Sequence, residues 1–195
     1  MLDRGLIDQF RKTVYGYNHI FSTYINIENK NRWNCICSAM DWITVSIDYL
    51  CKHPAIKTSD FGSIEMCSLI SCIDIIIEAV EQLHRVIYKN KEKVFLNDRE
   101  ISLGNFFDQS DRTYFKTIRS CFGAHPVNLD DPTDKHNQES KFFAGWSGGF
   151  FGKSDYSVFL YSNQVKGNDT LLGINFEQLL LFAEKYYRYC WFRSY

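Results

Sequence analysis

Near the middle of the chain, Arg119-Ser-Cys-Phe-Gly-Ala-His125 is followed by Pro126. It sets a permanent cation six residues before the one side chain type that titrates near neutral pH. A histidine in this setting can accept the 2′-hydroxyl proton of RNA or protonate the leaving oxygen. An arginine can bind the scissile phosphate and the charge that develops on it. No metal is required for that chemistry. Two further cations precede the pair. With Phe115 as zero on a helical wheel, Arg119 lies about 40° away, Arg112 about 60° and Lys116 about 100°. The three form one ridge beside an apolar stripe. Like charges stacked this way repel by a few tenths of a kcal/mol per pair, so the ridge favours an anion, and phosphate is the obvious one. On an unbroken helix His125 would stand about 120° from Arg119. Gly123 and Pro126 supply a break that would let the imidazole turn back. A structural alternative stays open, with Arg119 paired to a carboxylate and His125 capping the helix end through a backbone bond.

Other catalytic signatures are absent or lack context. Gly145-Trp-Ser-Gly-Gly149 matches the nucleophile-elbow spacing, but the Phe150-Phe151-Gly152 that follows does not open a helix. No glycine-rich phosphate loop occurs. Glu65, Asp74, Glu78 and Glu81 read as the solvated face of a helix rather than a ligand set. The seven cysteines lie mostly within apolar helical patterns and lack paired metal-ligand spacing, so neither disulfides nor zinc are expected.

The elements that must position the motif are mainly helical. Only three prolines interrupt 195 residues. Leu6, Phe10, Val14, Tyr17, Phe21 and Tyr24 predict a first helix over about 2–27. Ile36, Met40, Ile43, Ile47 and Leu50 predict a second over about 31–52. Its other apolar side, Trp42, Val45 and Tyr49, suits a central helix or an interface. Leu69, Ile73, Ile76, Val80, Leu83 and Ile87 predict a third. A fourth, capped by Asp108, Ser110 or Asp111, should run to Gly123–Pro126. Residues 127–141 read as a polar loop. Residues 141–146 and 156–162 suggest a two- or three-stranded β element, and Asn175–Phe192 a final helix. Phe142, Phe143, Trp146, Phe150 and Phe151 in the insertion could cover the bundle or contact a partner or RNA. The aromatic-basic tail at 185–193 fits the core better than a base-stacking platform.

The motif with its setting resembles the Arg-x4-6-His motif of the HEPN superfamily, all-α domains that place it late in a four- to five-helix bundle. The likeness covers about 30–125 and the last helix. The β segment at 141–163 has no family counterpart, and Ser120 stands where members often carry Asn, Asp or His. The resemblance implies an all-α, HEPN-like bundle with a short β-hairpin insertion before the last helix. It makes residues 1–195 one domain with an insertion at about 127–170. It further implies a metal-independent endoribonuclease without cofactor, a toxin or defence effector acting as a homodimer whose two motifs share one cleft. Arg119 and His125 would be catalytic, with Ser120, Arg112 and Lys116 binding RNA, and an antitoxin or other protein could be a partner. The alternative is a non-catalytic HEPN-like interaction or nucleotide-binding module; a plain helical adaptor is a third.

Composition fits this. The chain is 45% hydrophobic and 16% aromatic with a net charge of −1. That excludes a disordered chain and a protein that coats nucleic acid through bulk positive charge. The longest apolar stretch, Met66–Val80, is interrupted by Asp74 and Glu78, so no membrane span is expected. With no signal-like segment at Met1-Leu-Asp-Arg-Gly5, a soluble, cytoplasmic protein is expected.

Overall fold

A computed structural model describes residues 2–52, 60–88, 101, 109–124, 126–130, 140–147 and 154–192. Of the described residues, 66% are helical. The helices are α1 (Gly5–Gly16), α2 (Asn18–Tyr24), α3 (Trp33–Lys52), α4 (Asp60–Tyr88), α5 (Asp111–Arg119) and α6 (Phe176–Phe192). Four strands, β1 (Leu129–Asp130), β2 (Lys141–Ser147), β3 (Tyr156–Ser162) and β4 (Thr170–Ile174), form an antiparallel sheet in chain order. No helix among the described residues is long and apolar enough to cross a membrane.

The chain divides into two compact units. The first comprises Met1–His53, Cys72–Val94 and Leu180–Tyr195, and its described residues are mainly helical. In its core, Ile36, Met40, Ile43 and Ile47 of α3, with Ile73, Ile76, Ile77, Val80 and Leu83 of α4, are buried at helical spacing, and Phe182, Tyr186 and Tyr187 of α6 are buried as well. The expected first helix is two. Gly16 has the weakest hold on helical backbone, and Tyr17 is extended at φ −125°, ψ 105°, so α1 ends and α2 starts anew. Glu28 and Asn29 then both adopt positive φ, 55° and 59°, between the mutually hydrogen-bonded Ile27 and Lys30. That tight turn reverses the chain before α3. Tyr187 ties α6 to α1: its hydroxyl accepts from the Ile7 N–H at 2.9 Å and donates to the Asp3 carbonyl at 3.0 Å. Burial raises the phenol to about 12.

The second unit, Pro54–Ser71 and Phe95–Leu179, holds α5 and the sheet. The β segment is more than a hairpin. β1 forms inside the stretch read as a loop, where Leu129 pairs with Phe142 and Asp130 with Lys141, and β4 follows a turn in which the Gly167 N–H donates to the Gln164 carbonyl at 2.8 Å. Alternation then divides the sheet into two faces. Phe142, Tyr156, Val158, Leu160, Leu172 and Ile174 are buried on one. On that face Tyr156 hydrogen-bonds Ser63 of α4 at 2.7 Å, and its ring meets Phe122 with centroids 5.9 Å apart. The opposite face carries Phe143, 40% exposed, and Tyr161, 44% exposed.

Candidate functional site

The helix that carries the motif is short and well specified. Ser110 is the residue that caps α5, its Oγ accepting from the Thr113 N–H at 3.3 Å. Asp111 is buried in the first turn and accepts from the Ile101 N–H at 2.9 Å. Tyr114, Phe115 and Ile118 fill the buried stripe, and burial pushes the Tyr114 phenol up. Lys116 and Arg119 lie in the last turn, where cations complement the carbonyl end of the helix.

The expected α-helix to Gly123–Pro126 changes winding before it stops. Ser120–Ala124 is a single π-helical stretch, a wider turn often found at functional sites. Cys121 and Phe122 are buried there, and burial holds the Cys121 thiol at about 12. Cys67 of α4 donates to the Phe122 carbonyl at 2.7 Å, satisfying one of the acceptors that a helix end leaves over. Beyond the break, the Pro126 carbonyl accepts from the Ala144 N–H of β2 at 2.6 Å. The wide turn and the sheet thus fix the chain on both sides of the motif's end. His125 lies outside the described residues.

A cleft of about 270 Å³ opens between α5 and the start of the sheet. Thr113, Lys116, Thr117 and Ser120 line it from the helix; Asn128, Leu129 and Asp130 line it from the returning chain. Of the predicted site residues, the cleft therefore brings together Lys116 and Ser120. Arg119 is exposed and Arg112 half-buried, and neither lines it. The wheel gives the reason. Thr113, Thr117 and Ser120 centre about 160° from Phe115, the arginines lie at about 40–60°, and Lys116 stands between at about 100°. Ser120 Oγ donates to the Lys116 carbonyl at 2.9 Å, Thr117 Oγ1 donates to Gln109 Oε1 at 3.2 Å, and Lys141 holds Asp130 in an ion pair. The Lys116 ammonium makes no ion pair among the described residues.

Sequence reasoning missed Thr113, Thr117, Asn128 and Asp130. The hydroxyls at i, i+4 and i+7 were a readable signal, since that spacing places Thr113, Thr117 and Ser120 on one stripe. Asn128 and Asp130 carried none, because only the return of the chain through Pro126 brings them opposite α5. Among the described residues no group of three or more His, Cys, Asp or Glu is placed to hold a metal ion. Comparison of the chain with protein-family models, with curated proteins and with solved structures gave no match.

Proposed function

We propose that this protein is a metal-independent endoribonuclease of HEPN type. The observation that carries the reading is the cleft beside the motif, with a cation and three hydroxyls on one side of α5 and Arg119 one turn-flank away. In the proposed reaction the RNA 2′-oxygen attacks the adjacent phosphorus and the bond from phosphorus to the 5′-oxygen breaks. His125 takes the 2′-hydroxyl proton or delivers a proton to the departing 5′-oxygen, and Arg119 holds the phosphate oxygens. Lys116, Arg112 and Ser120 bind the flanking backbone. A homodimer would double the site, and the exposed Trp42 and Val45 of α3 are the proposed contact between copies. Toxin or defence activity in the cytoplasm, restrained by a partner protein, is the setting proposed for such an enzyme.

The test is cleavage of end-labelled single-stranded RNA by the purified protein in the presence of a chelator. The wild type should cut, and Arg119→Ala and His125→Ala should each lose about 100-fold or more in rate. RNA left intact, or cut equally by both variants, would overturn the assignment. A second reading, a non-catalytic nucleotide-binding module, is favoured by the internal hydrogen bonds that already engage the Ser120 and Thr117 hydroxyls. It predicts binding without cleavage and the same affinity in His125→Ala.

A further inference from the structure

The outer face of the sheet carries exposed aromatic rings. Residues of odd number in β2 and β3 share it: Phe143 pairs with Tyr161 and Gly145 with Phe159. The Phe159 and Tyr161 rings lie 5.9 Å apart and only 15° from parallel. Gly145 makes that arrangement possible, because any Cβ there would collide with the Tyr161 ring. The glycine lets Tyr161 lie across the backbone of β2 and present a flat side instead of standing upright. Lys141 and Asp130 continue the same face beyond Phe143, and Asp130 also lines the cleft beside α5. From one end to the other the surface therefore runs from aromatic rings, past the paired Lys141 and Asp130, to a cleft lined by Lys116.

We infer that this face is a stacking platform for the bases of a single-stranded RNA whose backbone enters the α5 cleft. Three features choose a nucleic acid over a protein partner. The exposed rings of Phe143 and Tyr161, the latter held flat against Phe159, match the π-faces that all four bases offer. The aromatic patch is small and bordered by Lys141 and Asp130, whereas a protein-docking surface needs a broad apolar centre. Residues two apart on a strand are about 6.8 Å apart, so successive side chains on this face can serve successive extended nucleotides. Paired bases in a duplex cannot reach the rings, so the ligand must be single-stranded. The inference rests on the ribonuclease reading and gives it a substrate class.

Binding of a short fluorescein-labelled 2′-O-methyl oligouridine, which lacks the nucleophilic hydroxyl and cannot be cut, separates the two claims. Anisotropy should show binding to the wild-type protein weakened on the order of 10- to 100-fold by Tyr161→Ala and by Phe143→Ala. Tyr161→Phe, which keeps the ring, should bind within about twofold of wild type. An abasic oligomer of the same backbone should bind weakly and equally to all of them. Equal oligouridine affinity in wild type and Tyr161→Ala overturns the platform, and so does an equal loss with the abasic oligomer. An absence of RNA binding in every variant also overturns it and leaves a protein as the occupant. The two readings fail separately. Cleavage of unmodified RNA with Tyr161 irrelevant to binding sinks only the platform. Base-dependent binding lost in Tyr161→Ala, with no cleavage by the wild type, sinks only the ribonuclease.

Discussion

In the helical unit, four arginines among the described residues meet carboxylates. Arg4 pairs with Asp8 at 3.2 Å and with Asp48 at 3.3 Å, Arg11 with Asp41 at 3.0 Å, Arg32 with Glu28 at 2.9 Å and Arg188 with Glu184 at 2.8 Å. In the sheet-bearing unit, α5 sets Arg112, Lys116 and Arg119 along one flank, next to a stripe of hydroxyls and an open cleft that Lys116 lines. Both units are stabilised by what they bury. They differ in how charge is arranged: ion pairs are spread over the helices of the first, and in the second three cations share one flank of α5 beside a concavity.

That contrast can be broken at its strongest point by testing where stability resides. Ile43 is fully buried in α3, and Ile43→Ala should cost about 2–5 kcal/mol, read as a lowered urea midpoint. The comparison fails if removing an ion pair of the same unit costs as much. In the sheet-bearing unit the corresponding weak point is Gly145. Gly145→Val forces Tyr161 off the β2 backbone and should cost about 1–3 kcal/mol, with RNA binding lost alongside. A variant that keeps its full stability would show that the ring has another resting place.

A third effect comes from pH. Burial holds the Cys121 thiol at about 12, against an ordinary 9.0, and raises Cys67 of the same unit as well. The protonated thiol is the form that the fold accepts. Stability from these groups is therefore complete below pH 9, where the unfolded chain is also protonated, and is lost as pH rises from 9 towards 12. The slope should be about 1.4 kcal/mol per pH unit for Cys121 alone. Urea midpoints measured from pH 7 to 11 should be level to about 8.5 and then fall. Cys121→Ala should fall less steeply above pH 9, and an unchanged slope would mean that the thiol is not the titrating group.

How much of this was legible follows the range of the interactions involved. Periodicities of three and four placed α3 and α4 correctly because each helix is determined by its own buried stripe. Gly16 was visible but its effect was not, since a glycine in an apolar periodic run ends a helix only when the next residue is held extended. β1 was hidden for a related reason: Leu129 and Asp130 are strand residues only because Phe142 and Lys141 lie opposite. At the site, the i, i+4, i+7 arithmetic found the cations on α5, and the same arithmetic would have found Thr113 and Thr117. It could not show that the cleft opens on the hydroxyl side of Lys116 and leaves Arg112 and Arg119 outside its lining. That depends on where the chain returns after Pro126, a contact between distant residues that local spacing does not encode.

The finest test of the contrast compares one cation from each unit. Arg11 binds Asp41 at 3.0 Å and Thr44 Oγ1 at 3.2 Å, and its side chain is only 27% exposed, so Arg11→Ala should cost about 0.2–1 kcal/mol. Lys116 is exposed and has Arg112 one turn before it, so Lys116→Ala removes a repulsion of a few tenths of a kcal/mol. Its stability should match wild type within about 0.5 kcal/mol or rise slightly. Its effect is expected in binding. If Lys116 neutralises one phosphate of a single strand, the slope of log affinity against log salt should fall by about 0.7, while Arg11→Ala leaves that slope unchanged. Loss of stability in Lys116→Ala with an unaltered salt slope would assign the α5 row to the fold and remove the difference between the two units.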